Sequence, residues 1–185
     1  MDVTMMVIIG IVVLILLFVI ITYNGLIRLR NSAQNGFAQI DTQLQRRYDL
    51  IPNLVETVKG YAAHESQVFE AVTAARSNAM NAQSVSEKAE ADNALSGTLK
   101  SLFAVSEAYP DLKASANFQA LQVELTNTEN KISFARQFYN DTVKRFNTGI
   151  QKFPQNIIAG MLKFTALDYY QVDSPEVRTS PRVSF

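Results

Sequence analysis

The sequence predicts an all-α protein in which an N-terminal transmembrane helix continues into a long antiparallel bundle of about four helices. A short C-terminal helix and a tail follow the bundle. Two observations predict this fold. No charged residue occurs from Val3 to Ile27. Beyond that run, apolar residues recur at steps of three and four, which is the period of an amphipathic helix.

The uncharged run is long enough to cross a membrane. Its roughly 25 residues would form about 37 Å of helix, against a hydrocarbon core of about 30 Å. A cleaved signal peptide has a shorter apolar run of about 7–15 residues after a basic start, whereas this chain begins Met1-Asp2-Val3-Thr4. We therefore assign residues 1–27 to a transmembrane anchor with a short external N-terminus.

The flanking charges predict the orientation of this anchor. Arg28, Arg30, Arg46 and Arg47 follow the span, while no Lys or Arg precedes it. Basic residues stay on the cytoplasmic side, so we expect a single-pass protein of the bacterial inner membrane with a cytoplasmic bundle. Gly10 has no small partner four residues away in the apolar run, so the span lacks a GxxxG-type association face.

Residues 28–152 are assigned to the bundle, and its first helix should reach about Gly60. Pro52 lies inside this helix and predicts a kink near residues 50–53, because proline removes a hydrogen bond and clashes with the preceding turn. The helix should continue beyond Pro52, because the apolar stripe does. The stripe consists of Ala33, Phe37, Ile40, Leu44, Tyr48, Ile51, Leu54, Val58 and Tyr61.

Two shorter helices should follow. The second covers about Glu65 to Ala82, and the third reaches about Ser106 from a start that Ser84 and Glu87 mark by their capping-box spacing. The break at Tyr109-Pro110-Asp111 comes next. The residues expected to face inward are Val68, Val72, Ala75 and Ala79 in the second helix and Ala91, Leu95, Leu99 and Leu102 in the third.

The fourth helix, about Asn117 to Thr148, has the most regular pattern. Its apolar positions repeat every seven residues, as in bundle or coiled-coil seams. We expect Thr128 and Thr142 to satisfy their hydroxyls against the preceding turn, and we expect Asp at Leu125 or Ile132 to unfold the bundle. The seam consists of Phe118, Leu121, Leu125, Thr128, Ile132, Ala135, Tyr139, Thr142 and Phe146.

Residues 153–185 form the third predicted segment. Phe153-Pro154 should turn the chain and dock the final segment, and Asn156 to Phe164 should form a short amphipathic helix. The stretch from Gln171 to Phe185 contains two prolines. Its composition alone is compatible with a disordered tail and with an ordered segment to about the same degree.

The composition contains few of the residue types that catalytic and metal-binding sites need. The chain has no Cys, one His, and 17 basic against 17 acidic residues. These counts argue against thiol chemistry, against sites that need two imidazoles and against nucleic-acid binding. His64-Glu65 lacks the second His of a zinc motif, because the residue at position 68 is Val68. Gly97-Thr98-Leu99-Lys100-Ser101 lacks the first Gly and the adjacent Gly-Lys pair of a phosphate-binding loop.

We therefore expect no catalytic, cofactor-binding or metal-binding residues, no cofactor and no enzymatic activity. His64 should be a surface or helix-end residue. The aromatic residues Phe134, Phe138, Phe146 and Phe153 should be core or interface residues. The acidic residues Glu56, Glu65, Glu70, Glu124 and Glu129 should form a solvated helix face.

The run from Arg46 to Ala62, with Arg-Tyr-Asp-Leu-Ile-Pro-Asn-Leu at its centre, resembles the LemA family of bacterial membrane proteins. Leu121-Gln122, Thr128-Glu129-Asn130, Ala135-Arg136, Phe138-Tyr139-Asn140, Phe153-Pro154 and the ending Pro181–Phe185 extend the resemblance over essentially the whole chain. At Lys163 family members often carry Gly, a departure that concerns the local turn.

The resemblance implies a single-pass protein with a small external N-terminus and a cytoplasmic antiparallel bundle, without an established activity or cofactor. It also implies association with membrane zinc proteases of the heat-shock type and with envelope stress. Two functions remain open: a scaffold that self-associates at the inner membrane and organises the bilayer or partner proteins, and a monomeric adaptor for a membrane-bound protease or an envelope-stress partner.

Overall fold

The computed structural model describes residues 2–171, and every regular element in that part of the chain is an α-helix. The all-α class is therefore confirmed. The helices are α1 (Val3–Lys59), α2 (Ser66–Asn81), α3 (Val85–Ala108), α4 (Pro110–Ala114), α5 (Ala116–Gln151) and α6 (Gln155–Met161). The bundle helices match the predicted ones closely, but the five-residue α4 was not predicted, and α6 ends before the predicted Phe164.

Helix α1 continues through Pro52, as predicted; the kink stays a prediction. The helix also contains Asn24-Gly25 and Asn35-Gly36, although Asn-Gly is a strong hairpin signal when it stands between strands. No alternating strand pattern flanks either pair, so the helical period prevails. The N-terminal part of α1 is long and apolar enough to cross a membrane.

The start of α3 confirms the predicted capping box. The Ser84 hydroxyl accepts from Glu87 N, and the Glu87 carboxylate accepts from Ser84 N at 3.1 Å and from Gln83 N at 2.9 Å. These backbone hydrogen bonds favour the ionised form and lower the pKa of Glu87. Pro110 ends the preceding structure and occupies the first turn of α4, where its missing N–H has no helical partner to lose.

The chain divides into two compact units. The first consists of Met1–Gln39 and Ala135–Asp168, and the second contains Ile40–Phe134 together with residues 169–171 of the described part. In the second unit, the apolar stripes of α1, α2, α3 and α5 are buried, and Leu112 of α4 joins this core. The Phe103 and Phe118 rings meet edge to face at 6.2 Å.

The predicted inward faces are largely right. Eight of the nine seam residues of α5 are buried, and Leu121 is half-buried. The Thr128 hydroxyl donates to Glu124 O at 2.8 Å and the Thr142 hydroxyl to Phe138 O at 2.9 Å, as predicted.

Three positions differ near the end of α1 and in α2: Tyr61, Val68 and Ala75, which is only half-buried. Tyr61 is exposed and Ala62 is buried instead, because the helix ends at Lys59 and its period no longer applies. Phe69 is buried although Val68 was expected to face inward, and Val68 is only half-buried. The larger ring takes the core position next to Val72, and the Lys59 ammonium lies 5.6 Å from its centroid.

The core of the first unit consists of Leu26, Phe146 and Ala159, with Leu29, Ile150, Phe164 and Leu167 packed against it. The chain after α6 is held by two side chains of α5. Asn147 uses both ends of its amide on the main chain of Leu167, at 2.9 Å each. The Tyr139 hydroxyl donates to Asp168 O at 2.8 Å. Residues 162–171 therefore have an ordered path, while the predicted tail beyond Gln171 lies outside the described residues.

The turn after α6 contains Lys163, a position at which the LemA resemblance implies Gly. Lys163 has φ 55°, in the left-handed region. Lys163 N donates to Gly160 O at 3.2 Å, and Phe164 N donates to Ala159 O at 3.0 Å. These two bonds define a Schellman motif, whose left-handed residue is usually glycine. A lysine therefore occupies a backbone position that favours glycine.

Phe153-Pro154 turns the chain between α5 and α6, as predicted, through a cis peptide bond. Phe153 does not dock the final segment, since its side chain is exposed. Phe164 takes that role, because its ring packs edge to face against Phe146 with centroids 6.1 Å apart. The docking residue therefore lies in the turn that follows α6.

Candidate functional site

The described residues contain no group of three or more His, Cys, Asp or Glu side chains that could hold a metal ion. His64 is exposed in the loop between α1 and α2, where the sequence predicted a surface or helix-end residue. Gly97 to Ser101 lies within α3. A surface groove of about 590 Å³ lies between the end of α1 and the outer side of α2, and Lys59, Phe69, Glu70 and Ala74 contribute to its wall.

The most distinctive polar feature is a buried ion pair in the second unit. Arg47 of α1 donates from Nη1 to Asp92 of α3 at 2.6 Å and from Nη2 to the Ser96 hydroxyl at 2.9 Å. Glu129 of α5 approaches the same Nη1 at 3.1 Å. The Arg47 side chain is 6% exposed and that of Asp92 is 1% exposed. One guanidinium therefore connects three helices, which its planar array of donors suits.

The chain after α6 reaches the same network. Tyr170 is buried, and its hydroxyl lies 3.4 Å from the second carboxylate oxygen of Asp92 and 3.3 Å from Lys88 O. Lys88 in turn pairs with Asp41 of α1. Asp92 is thus the acceptor that joins Arg47 to the C-terminal segment.

Tyr48, which follows Arg47 in α1, is also buried and lies near the charge of Asp92. Burial, followed by the nearby charge of Asp92, raises the pKa of Tyr48 to about 12. Among residues 2–171 its hydroxyl has no hydrogen-bond partner. In the first unit, burial likewise raises the pKa of Tyr139. Both phenols remain neutral at physiological pH and serve packing or hydrogen bonding.

The sequence pattern did not predict this network. Glu124 and Glu129 were expected on a solvated face, but Glu124 pairs with Arg46 and Glu129 with Arg47. Ala91 was expected to face inward, whereas Asp92 is the buried residue and Ala91 is half-buried. An acid at a helical step of three from Leu95 was the available signal, since that spacing places Asp92 on the buried face.

A second feature is an uncharged stripe on the outer side of α5, opposite its seam. It consists of Val123, Asn127, Asn130 and Phe134, which are all exposed and follow steps of four, three and four. Val123 is 61% exposed and Phe134 is 73% exposed. Steps of this size place the four side chains on one side of the helix. We refer to these four residues as the outer stripe.

Comparison with known proteins identifies the family. The model of the LemA family matches residues 36–185, which include all of α2 to α6. The chain belongs to the LemA family. It is 28% identical over 158 residues to the protein LemA of Metamycoplasma hominis, an alignment that covers 83% of this chain and 70% of that protein.

Magnetosome proteins are also similar. MamQ 2 of Paramagnetospirillum magneticum is 23% identical over 175 residues, and MamQ of Magnetospirillum gryphiswaldense is 21% identical over 174 residues. Each alignment covers 80% of this chain, which spans 64% of the length of these two relatives. None of these names is the name of an enzyme. With its apolar N-terminal helix, the chain is a membrane-associated member of the LemA family.

The residues that carry the LemA resemblance have clear structural roles. Arg47 and Tyr48 belong to the buried network, and Ile51 and Leu54 lie in the core. Arg46 and Asp49 lie on the surface, where Asp49 accepts from Gln45 at 2.9 Å. The motif therefore encodes the inner side of α1 and its ionic connection to α3 and α5.

Proposed function

We propose that this member of the LemA family is a non-enzymatic, membrane-anchored scaffold that self-associates through the outer stripe of α5. It would organise the bilayer or partner membrane proteins at the bacterial inner membrane. The observation that carries the proposal is the exposed, uncharged outer stripe at coiled-coil spacing. Arg28 and Arg30 after the span support an orientation with the bundle in the cytoplasm.

A second copy of the chain suits this stripe chemically. Val123 and Phe134 supply apolar contacts at its ends, and Asn127 and Asn130 lie between them. An asparagine amide both donates and accepts hydrogen bonds, so it can pair with the same side chain of another copy. Asparagine at such positions also specifies the register and number of helices in coiled coils. The stripe is therefore self-complementary.

The anchor favours association through the soluble part. Tethering to one membrane confines the copies to a plane and raises their effective concentration. The span itself lacks paired small residues. The MamQ relatives are named as magnetosome proteins, and this name is compatible with a scaffold that acts on membranes.

Disulfide trapping tests the proposal directly, because the chain has no Cys. Full-length Asn127→Cys protein should form a disulfide-linked dimer on mild oxidation in native membranes. Ser101→Cys, at an exposed position of α3, is the matched control and should stay monomeric. Equal dimer yields at the two positions would indicate random collision and contradict an interface at the stripe.

The mass of the full-length protein should be measured in mild detergent by light scattering, with negative-stain images of the same sample. A large uniform particle supports the scaffold, and Phe134→Ser should shrink it. A monomer at all concentrations would exclude self-association as the function.

The groove beside α2 favours the alternative, a monomeric adaptor for a membrane-bound protease or an envelope-stress partner. Its wall combines Phe69 with the charged Lys59 and Glu70, which suits a short peptide segment. A photo-crosslinking amino acid at Ala74 would then capture one reproducible partner in native membranes. The same probe at Ser101 should not capture it, and the scaffold proposal predicts no such partner-specific adduct.

A further inference from the structure

Helix α6 presents a strongly apolar surface to its surroundings. Ile158 and Ala159 are buried on its inner side, whereas Ile157 and Met161 on the opposite side are exposed. Phe153 before the helix and Leu162 after it are exposed as well, and the exposures of Phe153 and Met161 reach 74% and 78%. Phe153, Ile157, Met161 and Leu162 are called the α6 apolar face.

This face lies beside the part of α1 at which the predicted membrane span ends. About 20 helical residues, here Val3 to Thr22, cross a hydrocarbon core of about 30 Å. The residues before Val19 are all exposed, and close packing against protein begins with Thr22 and Leu26. Ala159 of α6 packs in one cluster with Leu26, and the Phe164 ring lies 6.3 Å from the Tyr23 ring.

The positive charges around α6 are complementary to the negative charge of an anionic lipid surface. Residues 152–167 include Lys152 and Lys163 and no acidic residue. Both lysines are exposed, as are Arg28 and Arg30 on the adjoining turn of α1. Basic side chains beside an apolar helix face are the composition of segments that lie in the membrane interface.

We propose that α6 is a second membrane contact, which lies in the headgroup region and inserts its apolar face at the acyl boundary of an anionic bilayer. Because the span already holds the chain at this surface, insertion costs little additional entropy. The contact would fix the rotation and tilt of the first unit at the membrane. The inference depends on the span but not on self-association through the outer stripe.

The chain contains no Trp, so one introduced indole reports on one position. Met161→Trp and Ile157→Trp would each be made in the full-length protein and placed in phosphatidylcholine–phosphatidylglycerol nanodiscs, with ordinary or brominated acyl chains. Bromine quenches only an indole that touches the acyl region. We expect emission at shorter wavelength than for an indole in water, and about twofold weaker emission in brominated nanodiscs for both variants.

Two control variants define the ends of the scale. Leu14→Trp lies in the middle of the span and should be quenched most strongly. Ser101→Trp, at an exposed position of α3 in the second unit, should show no quenching.

Each contrary result shows whether the α6 membrane contact or the membrane span itself is wrong. Emission typical of water at both Met161→Trp and Ile157→Trp would overturn the inference. Emission at short wavelength without quenching would show that protein, for example a second copy, covers the face, and would overturn it as well. Absence of quenching at Leu14→Trp would overturn it together with the membrane span, whereas a failure of stripe-mediated dimerisation would leave these results unchanged.

Discussion

Arg76 donates a hydrogen bond from Nε to the main-chain carbonyl of Tyr48 at 2.7 Å. In an uninterrupted helix that carbonyl would accept from the residue four positions later, which is Pro52. Proline has no N–H, so the carbonyl is released and Arg76 of α2 takes the place of the missing donor. The proline of the family motif thus provides a docking point for the next helix.

This relationship predicts a coupled pair of substitutions. Arg76→Met should lower the free energy of unfolding by about 1–3 kcal/mol, because it leaves a partly buried carbonyl without this donor. In a Pro52→Ala background the same change should cost less, because the substituted residue supplies a main-chain N–H that can bond to Tyr48 O. Urea unfolding of the four proteins followed by circular dichroism measures the difference, and equal costs in both backgrounds would disprove the coupling.

The buried ion pair predicts that the salt bridges of the neighbouring Arg46 and Arg47 contribute very different amounts to the free energy of unfolding. Asp92→Leu should destabilise the protein by about 3–5 kcal/mol, because it leaves the buried Arg47 without its principal partner. Glu124→Leu, which breaks the largely exposed pair with Arg46, should cost no more than about 1 kcal/mol.

Thermal unfolding of the full-length protein in detergent would compare the two changes. Arg47→Met combined with Asp92→Leu should recover much of the lost stability, since neither deeply buried charge remains and the Glu129 side chain, which also pairs with Arg47, is 42% exposed. A double variant as unstable as Asp92→Leu alone would show that packing, and not the unpaired charge, dominates the loss.

The Tyr48 phenol predicts the alkaline limit of stability. Its folded pKa of about 12 exceeds the value of about 10 for an unfolded tyrosine. The unfolded chain therefore loses this proton first, and stability should fall between about pH 10 and pH 12. Below pH 10 the phenol is neutral in both states and this effect vanishes.

Tyr48→Phe should reduce that alkaline loss. At neutral pH the substitution should be neutral or stabilising by up to about 1 kcal/mol, because the buried hydroxyl has no partner among residues 2–171. Urea unfolding at pH 8 and pH 11 would measure both effects. Exposed Tyr61→Phe provides the control, and an identical pH dependence in the two variants would contradict the prediction.

The left-handed Lys163 predicts a stabilising substitution. Lys163→Gly should raise the free energy of unfolding by about 1 kcal/mol, because glycine adopts this conformation without the steric cost that a Cβ brings. Lys163→Ala, which keeps the Cβ, separates backbone strain from the loss of charge and should give no such gain. Melting temperatures of the three proteins check the prediction.

The sequence by itself determined the helices other than α4, because their signals are local. The uncharged run, the heptad pattern of α5 and the Ser84–Glu87 pair depend on neighbours a few residues apart, and the structure places helices where these signals lie. Even the hydrogen bonds from the Thr128 and Thr142 hydroxyls to the preceding turn were predictable from helical geometry alone.

Only the tertiary structure decided which polar residues meet. Arg47 and Asp92 are separated by 45 residues and Tyr170 and Asp92 by 78, so no local period relates them. An acid on a helix is compatible with solvent or with a buried cation, and the choice depends on what the facing helix presents. The same holds for the carbonyl of Tyr48, whose need for a donor is written at Pro52 but whose donor, Arg76, becomes apparent only after α2 has packed against α1.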